Sequence, residues 1–255
     1  MNNKTDQWQQ YVGSVWASLL SNHSLNCSGT IIEIGPGFTD KIGRGLAKLQ
    51  FKGKLYILEP NEPALTWVAQ RYQTLLPNAT IIAVNKSMQD ACAILPGAVE
   101  AILMNHVLDD MVLHAGLLPA EQQNIFSQIR PGELCLSQVK NTWQALLGDP
   151  QYLAELKHEV LTGIGTLVDH TDARIVGMSQ YKSWFLSQNE LKEADLIGNK
   201  LLAEMVSQLG EMPIDDMDTL RSYGQDPQDW LIIEREGVYG ISDNKPNIIQ
   251  QATRN

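Results

Sequence analysis

Three short stretches carry residue types and spacings that could do chemistry. The first is "TIIEIGPGFTD", residues 30–40, where an apolar run breaks into Gly35 and Gly37 and then continues toward a helix. Glycines between a strand and a helix let a ligand approach the backbone closely. The second is "LYILEP", 55–60, which sets Glu59 at the end of another apolar run. An acidic residue about 20 positions past such glycines can accept from both hydroxyls of a ribose. The third is "LMNHVLDD", 103–110, where Asn105 and His106 precede the paired carboxylates Asp109 and Asp110. Imidazole titrates near neutral pH, so His106 is the candidate base, against the plainer reading of a packed or hydrogen-bonded histidine. Asp109 and Asp110 could hold a cationic acceptor or a metal; equally, they suit the first turn of a helix, whose dipole favours them.

The glycine loop fits phosphate poorly. In the dinucleotide fingerprint G-x-G-x-x-G the third glycine would fall on Asp40. That fingerprint relies on free backbone N–H groups and a positive helix end. Pro36 has no N–H to give, and Glu33 and Asp40 would face anionic oxygens. The pattern G-x-x-x-x-G-K-[ST] is absent as well. A cationic ligand reverses each objection. S-adenosylmethionine carries a sulfonium and an ammonium against one carboxylate, and Glu33 would favour it. The alternative is an ordinary strand-to-helix turn with incidental glycines.

These residues need a scaffold, and the periodicity supplies one. Apolar residues at Trp8, Tyr11, Val12, Val15, Trp16, Leu19 and Leu20 predict an amphipathic first helix. From Gly29 the chain alternates: strand "TIIEI", helix from a cap at Thr39 or Asp40, strand "KLYILEP", helix capped by Asn61, strand "ATIIAVN", short helix "SMQDACAIL", strand "AVEAILMN". Such alternation predicts a parallel sheet with right-handed crossovers. Helical signals then dominate 111–172. A fifth strand is expected within 173–187, with "RPGELCLSQV" (130–139) as the alternative. A long helix ending at Gly210 follows, then two apolar runs in 217–236 around a turn, read as an antiparallel hairpin. The last residues, 237–255, read as a loose tail.

In motif order, residues 30–110 resemble the class I S-adenosylmethionine-dependent methyltransferases. "EIGPG" (33–37) looks like that family's first motif and "LEP" (58–60) like its second. The resemblance implies a mostly parallel, doubly wound seven-stranded α/β sheet with an antiparallel C-terminal hairpin. A helical insertion would follow the fourth strand, all within a single domain spanning 1–255. It further implies S-adenosylmethionine as cofactor, held by Glu33, Gly35, Pro36, Gly37, Glu59 on the ribose, Pro60, Asn105 and His106. "VNKSM" (84–88) would form the adenine-side loop, with Asn85 or Ser87 on the ring edge and Met88 on its face. No Asn/Asp-Pro-Pro-Tyr/Phe stretch is present, so methylation of base amino groups is not implied. The expected function is methyl transfer to a small-molecule acceptor bound beneath the insertion. The competing expectations are aminopropyl or aminocarboxypropyl transfer, and a non-catalytic cofactor-binding protein.

Further candidates rest on position alone. Tyr181 and Trp184, on or near the fifth strand, could line an acceptor pocket, and Tyr11 and Trp16 on the first helix could close over the cofactor as a lid. Asp169, His170 and Asp172 could ligate a metal, but without a second convergent cluster a solvated loop is the simpler reading, and no metal is expected. The chain as a whole sets outer bounds. Its 255 residues are 44% hydrophobic, with a net charge of −10, which argues against a duplex nucleic acid partner. Three widely spaced cysteines predict no disulfide framework. No apolar run approaches the roughly 20 residues of a membrane helix, and no secretory signal is legible, so a cytoplasmic location is expected.

Overall fold

The computed structural model describes residues 3–117, 136–182, 186 and 191–235. Six strands form one sheet: β1 (Thr30–Ile34), β2 (Lys54–Leu58), β3 (Thr80–Val84), β4 (Ala101–Asn105), β5 (Ile175–Ser179) and β6 (Trp230–Glu234). Their order is β3-β2-β1-β4-β5-β6, parallel except for β6, which runs antiparallel to β5. The strand order reverses between β1 and β4, the place where open α/β sheets bind ligands. The register makes this edge flush. Ile34 pairs with Leu58, Leu58 with Val84, and Asn105 with Ser179. Residues that follow those positions therefore converge on one rim.

Alternation along the strands divides the core in two. On one face, Ile31, Leu55, Ile57 and Leu103 pack against α1 (Asn3–Asn22), α2 (Lys41–Lys48) and α3 (Glu62–Leu75). On the other, Ile32, Ile34, Met104 and Val176 meet five further helices. These are α4 (Met88–Ala91), α5 (Leu108–Ala115), α6 (Leu136–Gly148), α7 (Pro150–His170) and α8 (Lys192–Leu209). Helices on both faces explain why every strand in the middle of the sheet reads as a continuous apolar run.

The expected α/β alternation is present, with differences in detail. The fifth strand falls within 173–187 but covers only Ile175–Ser179; of the alternative, 136–139 is the start of α6. A seventh strand does not occur among the described residues. The antiparallel closing strand is β6, yet the run expected to be its hairpin mate is helical: α9 spans Ile214–Ser222. Two apolar positions around a turn suit either geometry. Here Leu220 is the one fully buried apolar residue, while Asp215 and the buried Asp216 occupy the first helical turn, where the helix dipole favours them. Gly210 ends α8 with φ +123°, a conformation that favours glycine. Parts of the expected insertion (118–135) and the tail (237–255) lie outside the described residues.

Candidate active site

The loop after β1 turns on two glycines in the left-handed region, Gly35 (φ +60°) and Gly37 (φ +56°). At Gly35 a side chain would also overlap Val107 Cγ2, so the turn is closed to larger residues twice over. Four of the loop's backbone donors are already engaged, and Phe38 N–H is not among them. Gly35 N–H donates to Leu58 O (2.8 Å), Gly37 N–H to Glu59 Oε2 (2.9 Å), Thr39 N–H to Pro36 O (3.2 Å) and Asp40 N–H to Gln9 Oε1 (3.1 Å). Pro36 has none. A pyrophosphate would find no ring of N–H groups here.

Glu59 is the link between the loop and β2. Its second oxygen accepts from Asn61 N–H (2.9 Å), and Asn61 in turn caps α3 by accepting from Ala64 N–H (3.1 Å). Burial pushes the Glu59 carboxyl up, and the two backbone N–H groups oppose that shift. Each carboxylate oxygen keeps a lone pair beyond the one used. Asn85 Nδ2 donates to Glu59 O (3.0 Å) and Pro60 O (2.9 Å), tying the ends of β2 and β3 together.

A cavity of about 380 Å³ opens on this rim. One side is Gly35–Thr39, Leu58–Asn61 and Lys86–Gln89; the other is Asn105–Val107, Asp109, Asp110 and an apolar wall of Val139, Trp143 and Leu186. Asn105 is fixed by Trp16, whose Nε1–H donates to Asn105 Oδ1 (2.9 Å), while Asn105 Nδ2 donates to the Tyr181 hydroxyl (3.2 Å). His106 follows at φ +55°, an uncommon conformation for a side-chain-bearing residue, and its ring stacks on Tyr181 at 4.6 Å. Burial pushes the His106 imidazole below its usual value, with Asp109 opposing and Lys41 reinforcing. Asp110 lines the cavity and is exposed to it.

Of the residues singled out in the sequence, Gly35, Pro36, Gly37, Glu59, Pro60, Ser87, Met88, Asn105, His106, Asp109 and Asp110 meet around this cavity. Glu33 does not line it. As the position before Ile34 in an alternating strand, it faces α2 and α3, where it is buried and accepts from Tyr72 Oη (3.0 Å). Asn85 also stands off the cavity, behind Pro60. Tyr11 does not reach it either: its ring packs on Trp8 and Tyr223, and its hydroxyl meets Gln225. Tyr181 backs His106 rather than lining the wall, and Trp184 lies outside the described residues. Asp169 pairs with Arg235 (3.1 Å), and no group of three potential metal ligands occurs among the described residues.

Sequence reasoning missed Lys41, Gln180, Trp143, Val139 and Leu186. Lys41 was legible as the first helical residue after the glycine loop. The apolar three come from helices whose packing faces no strand motif announces.

Comparison with known proteins gives no sequence-level relative: no protein-family model matches the chain, and no curated protein does. Solved structures give loose likenesses. A SAM-dependent methyltransferase from Aquifex aeolicus is 12% identical over 64% of this chain and 62% of that one, with TM-score 0.34. An rRNA methylase from Streptococcus thermophilus is 11% identical over 71% and 74%, with TM-score 0.35. A protein from Streptococcus mutans solved in complex with SAH is 12% identical over 84% and 92%, with TM-score 0.36. Likeness at this level carries no functional weight, which rests instead on strand order and on the rim.

Proposed function

We propose that the cavity binds S-adenosylmethionine and that the protein is a methyltransferase for a small-molecule acceptor. One observation carries the reading: a glycine loop in which both glycine N–H groups are spent and Pro36 has none stands beside a buried carboxylate at the end of β2. The residues present fit this cofactor. The free lone pairs of Glu59 suit ribose hydroxyls, Met88 and Pro60 give an apolar wall for a base, and Asp109 and Asp110 offer negative charge to a cation.

When bound, the cofactor supplies a methyl group on a sulfonium, with a neutral thioether as leaving group. The chain's own part is then mostly positional. Glu59 and the loop orient the nucleoside. Asn105 and His106, at the switch point, border the place where donor and acceptor meet. Trp143, Val139 and Leu186 exclude water from the acceptor side and favour an apolar body there. A cavity with carboxylates in its wall, on a chain of net charge −10, suits a small molecule better than a polyanion. Because Asp109 and Asp110 share that wall, a second reading is transfer of an aminopropyl or aminocarboxypropyl group to an amine.

Calorimetric titration tests the proposal. S-adenosylmethionine and its demethylated product should bind, and NAD should not. Glu59→Ala should weaken binding by about 1.5–3 kcal/mol, the value of a hydrogen bond to a charged group. Binding of NAD alone would overturn the reading; unchanged affinity in the variant would remove Glu59 from the ribose.

A further inference from the structure

His106 lies in the cavity wall, but which of its ring nitrogens can take a proton depends on Gln180, a buried residue just beyond β5. The orientation of the Gln180 amide follows from its neighbours. Oε1 accepts from Leu108 N–H (3.1 Å), a group that can only donate. Nε2 is therefore the other terminus, and it donates to Asp109 Oδ1 (2.9 Å), a group that only accepts when ionised. The same Nε2 stands 3.3 Å from His106 Nδ1. An amide nitrogen has no lone pair to offer, so Nδ1 must be the acceptor and the ring proton must sit on Nε2.

Space for this arrangement is built in. Gly198 on α8 lies against the Gln180 side chain, and a Cβ there would meet Gln180 Cδ at 2.5 Å. The main chain of Gln180 is pinned too: its N–H donates to Asp229 O (2.8 Å) and its carbonyl accepts from Asn199 Nδ2 (2.9 Å). On its other side the imidazole is held flat against Tyr181.

We propose that Gln180 is a positioning residue that holds His106 as the neutral Nε2–H tautomer, so that His106 presents a hydrogen-bond donor, not a base, to the acceptor. Calling the partner an acceptor rests on the methyltransferase reading; the tautomer does not. The lone pair at Nδ1 faces Gln180, which does not line the cavity, so a proton leaving a bound molecule has no path to it. The molecule that fits therefore offers a lone pair to His106: a carbonyl, carboxylate, phenolate or unprotonated nitrogen. The charges around the ring are Asp109 and Asp195, which favour its protonation, and Lys41, which opposes it.

Nitrogen-15 NMR of the uniformly labelled full chain, through two-bond couplings of the imidazole protons, reads this directly without any ligand. With the His106 signals assigned by their loss in His106→Asn, the wild type near neutral pH should show a protonated Nε2 and a bare Nδ1. A bare Nε2, or a fully protonated ring, would overturn the proposal. Gln180→Glu puts an acceptor where the donor stood, and should move the proton toward Nδ1 and raise the ring's titration midpoint. An unchanged tautomer and midpoint in a folded Gln180→Glu protein would show that Gln180 does not set the state. Failure of the cofactor reading would leave these signals untouched, so the two ideas fall separately.

Discussion

At the residue scale, the informative contrast is between two buried glutamates. Glu59 is satisfied by two backbone N–H groups, whereas Glu33 accepts only from Tyr72 and leaves Oε2 without a partner among the described residues. Burial pushes the Glu33 carboxyl up to about 8; the Tyr72 hydrogen bond opposes this, and Asp40 and Glu59 add to it. The folded chain thus keeps a proton at neutral pH that the unfolded chain releases. Its contribution to stability is fully present below the unfolded value near 4.5 and is lost as pH rises toward about 8. The slope is about 1.4 kcal/mol per pH unit at most. Glu33→Gln should remove it, so the variant should gain on wild type between about pH 5 and about pH 8 in urea melts. A stability difference constant across that range would place the ionised form in the fold. Both glutamates were visible in the sequence as residues at strand ends. What spacing did not convey was the face: Glu33 is one residue too early to clear the strand, and its side chain follows the alternation into the α2–α3 layer.

At the element scale, the loop is held from below by α2, and α2 by a charge cluster. Asp40 is fully buried at the α2 N-terminus, but its side chain makes no cap bond. Instead it pairs with Arg44 (2.6 Å) and Arg71 (2.7 Å), and Arg44 also reaches Asp6 of α1. Two carboxylates, Asp40 and Asp6, thus clasp α1, α2 and α3 at the N-terminus of α2. Asp40→Asn leaves both guanidinium groups facing a neutral amide. Breaking a buried pair costs about 3–5 kcal/mol, and because Arg71 is more than a third exposed, a loss of about 2–4 kcal/mol is expected in denaturant melts. Affinity for the demethylated cofactor should fall with it, since the loop loses its anchor. Unaltered stability would mean that water serves the two arginines equally well. The sequence announced the elements themselves well, because β1–β4 and their helices have unmistakable periods. It misread α9, where a polar helix with one buried leucine has no period strong enough to distinguish it from a strand. The Asp40 clasp was invisible for another reason: its partners come from three helices.

At the scale of the whole molecule, the sheet brings the separate signals to one edge. Flush strand ends carry the glycine loop, Glu59, Asn105 and His106 to the switch point, while α5, α6 and the residue at 186 supply the far wall. That convergence was legible from the strand–helix alternation, because parallel strands must all end on the same side. The apolar wall was not, since Val139, Trp143 and Leu186 reach the cavity only through the packing of helices against one another.

The most direct measurement is a crystal structure of the full chain with the demethylated cofactor bound. The ribose hydroxyls are expected on Glu59 and the base between Pro60 and Met88, with Gly37 N–H still donating to Glu59. A ligand bound elsewhere, or one whose anionic group sits on the N–H groups of the 35–40 loop, would contradict that placement.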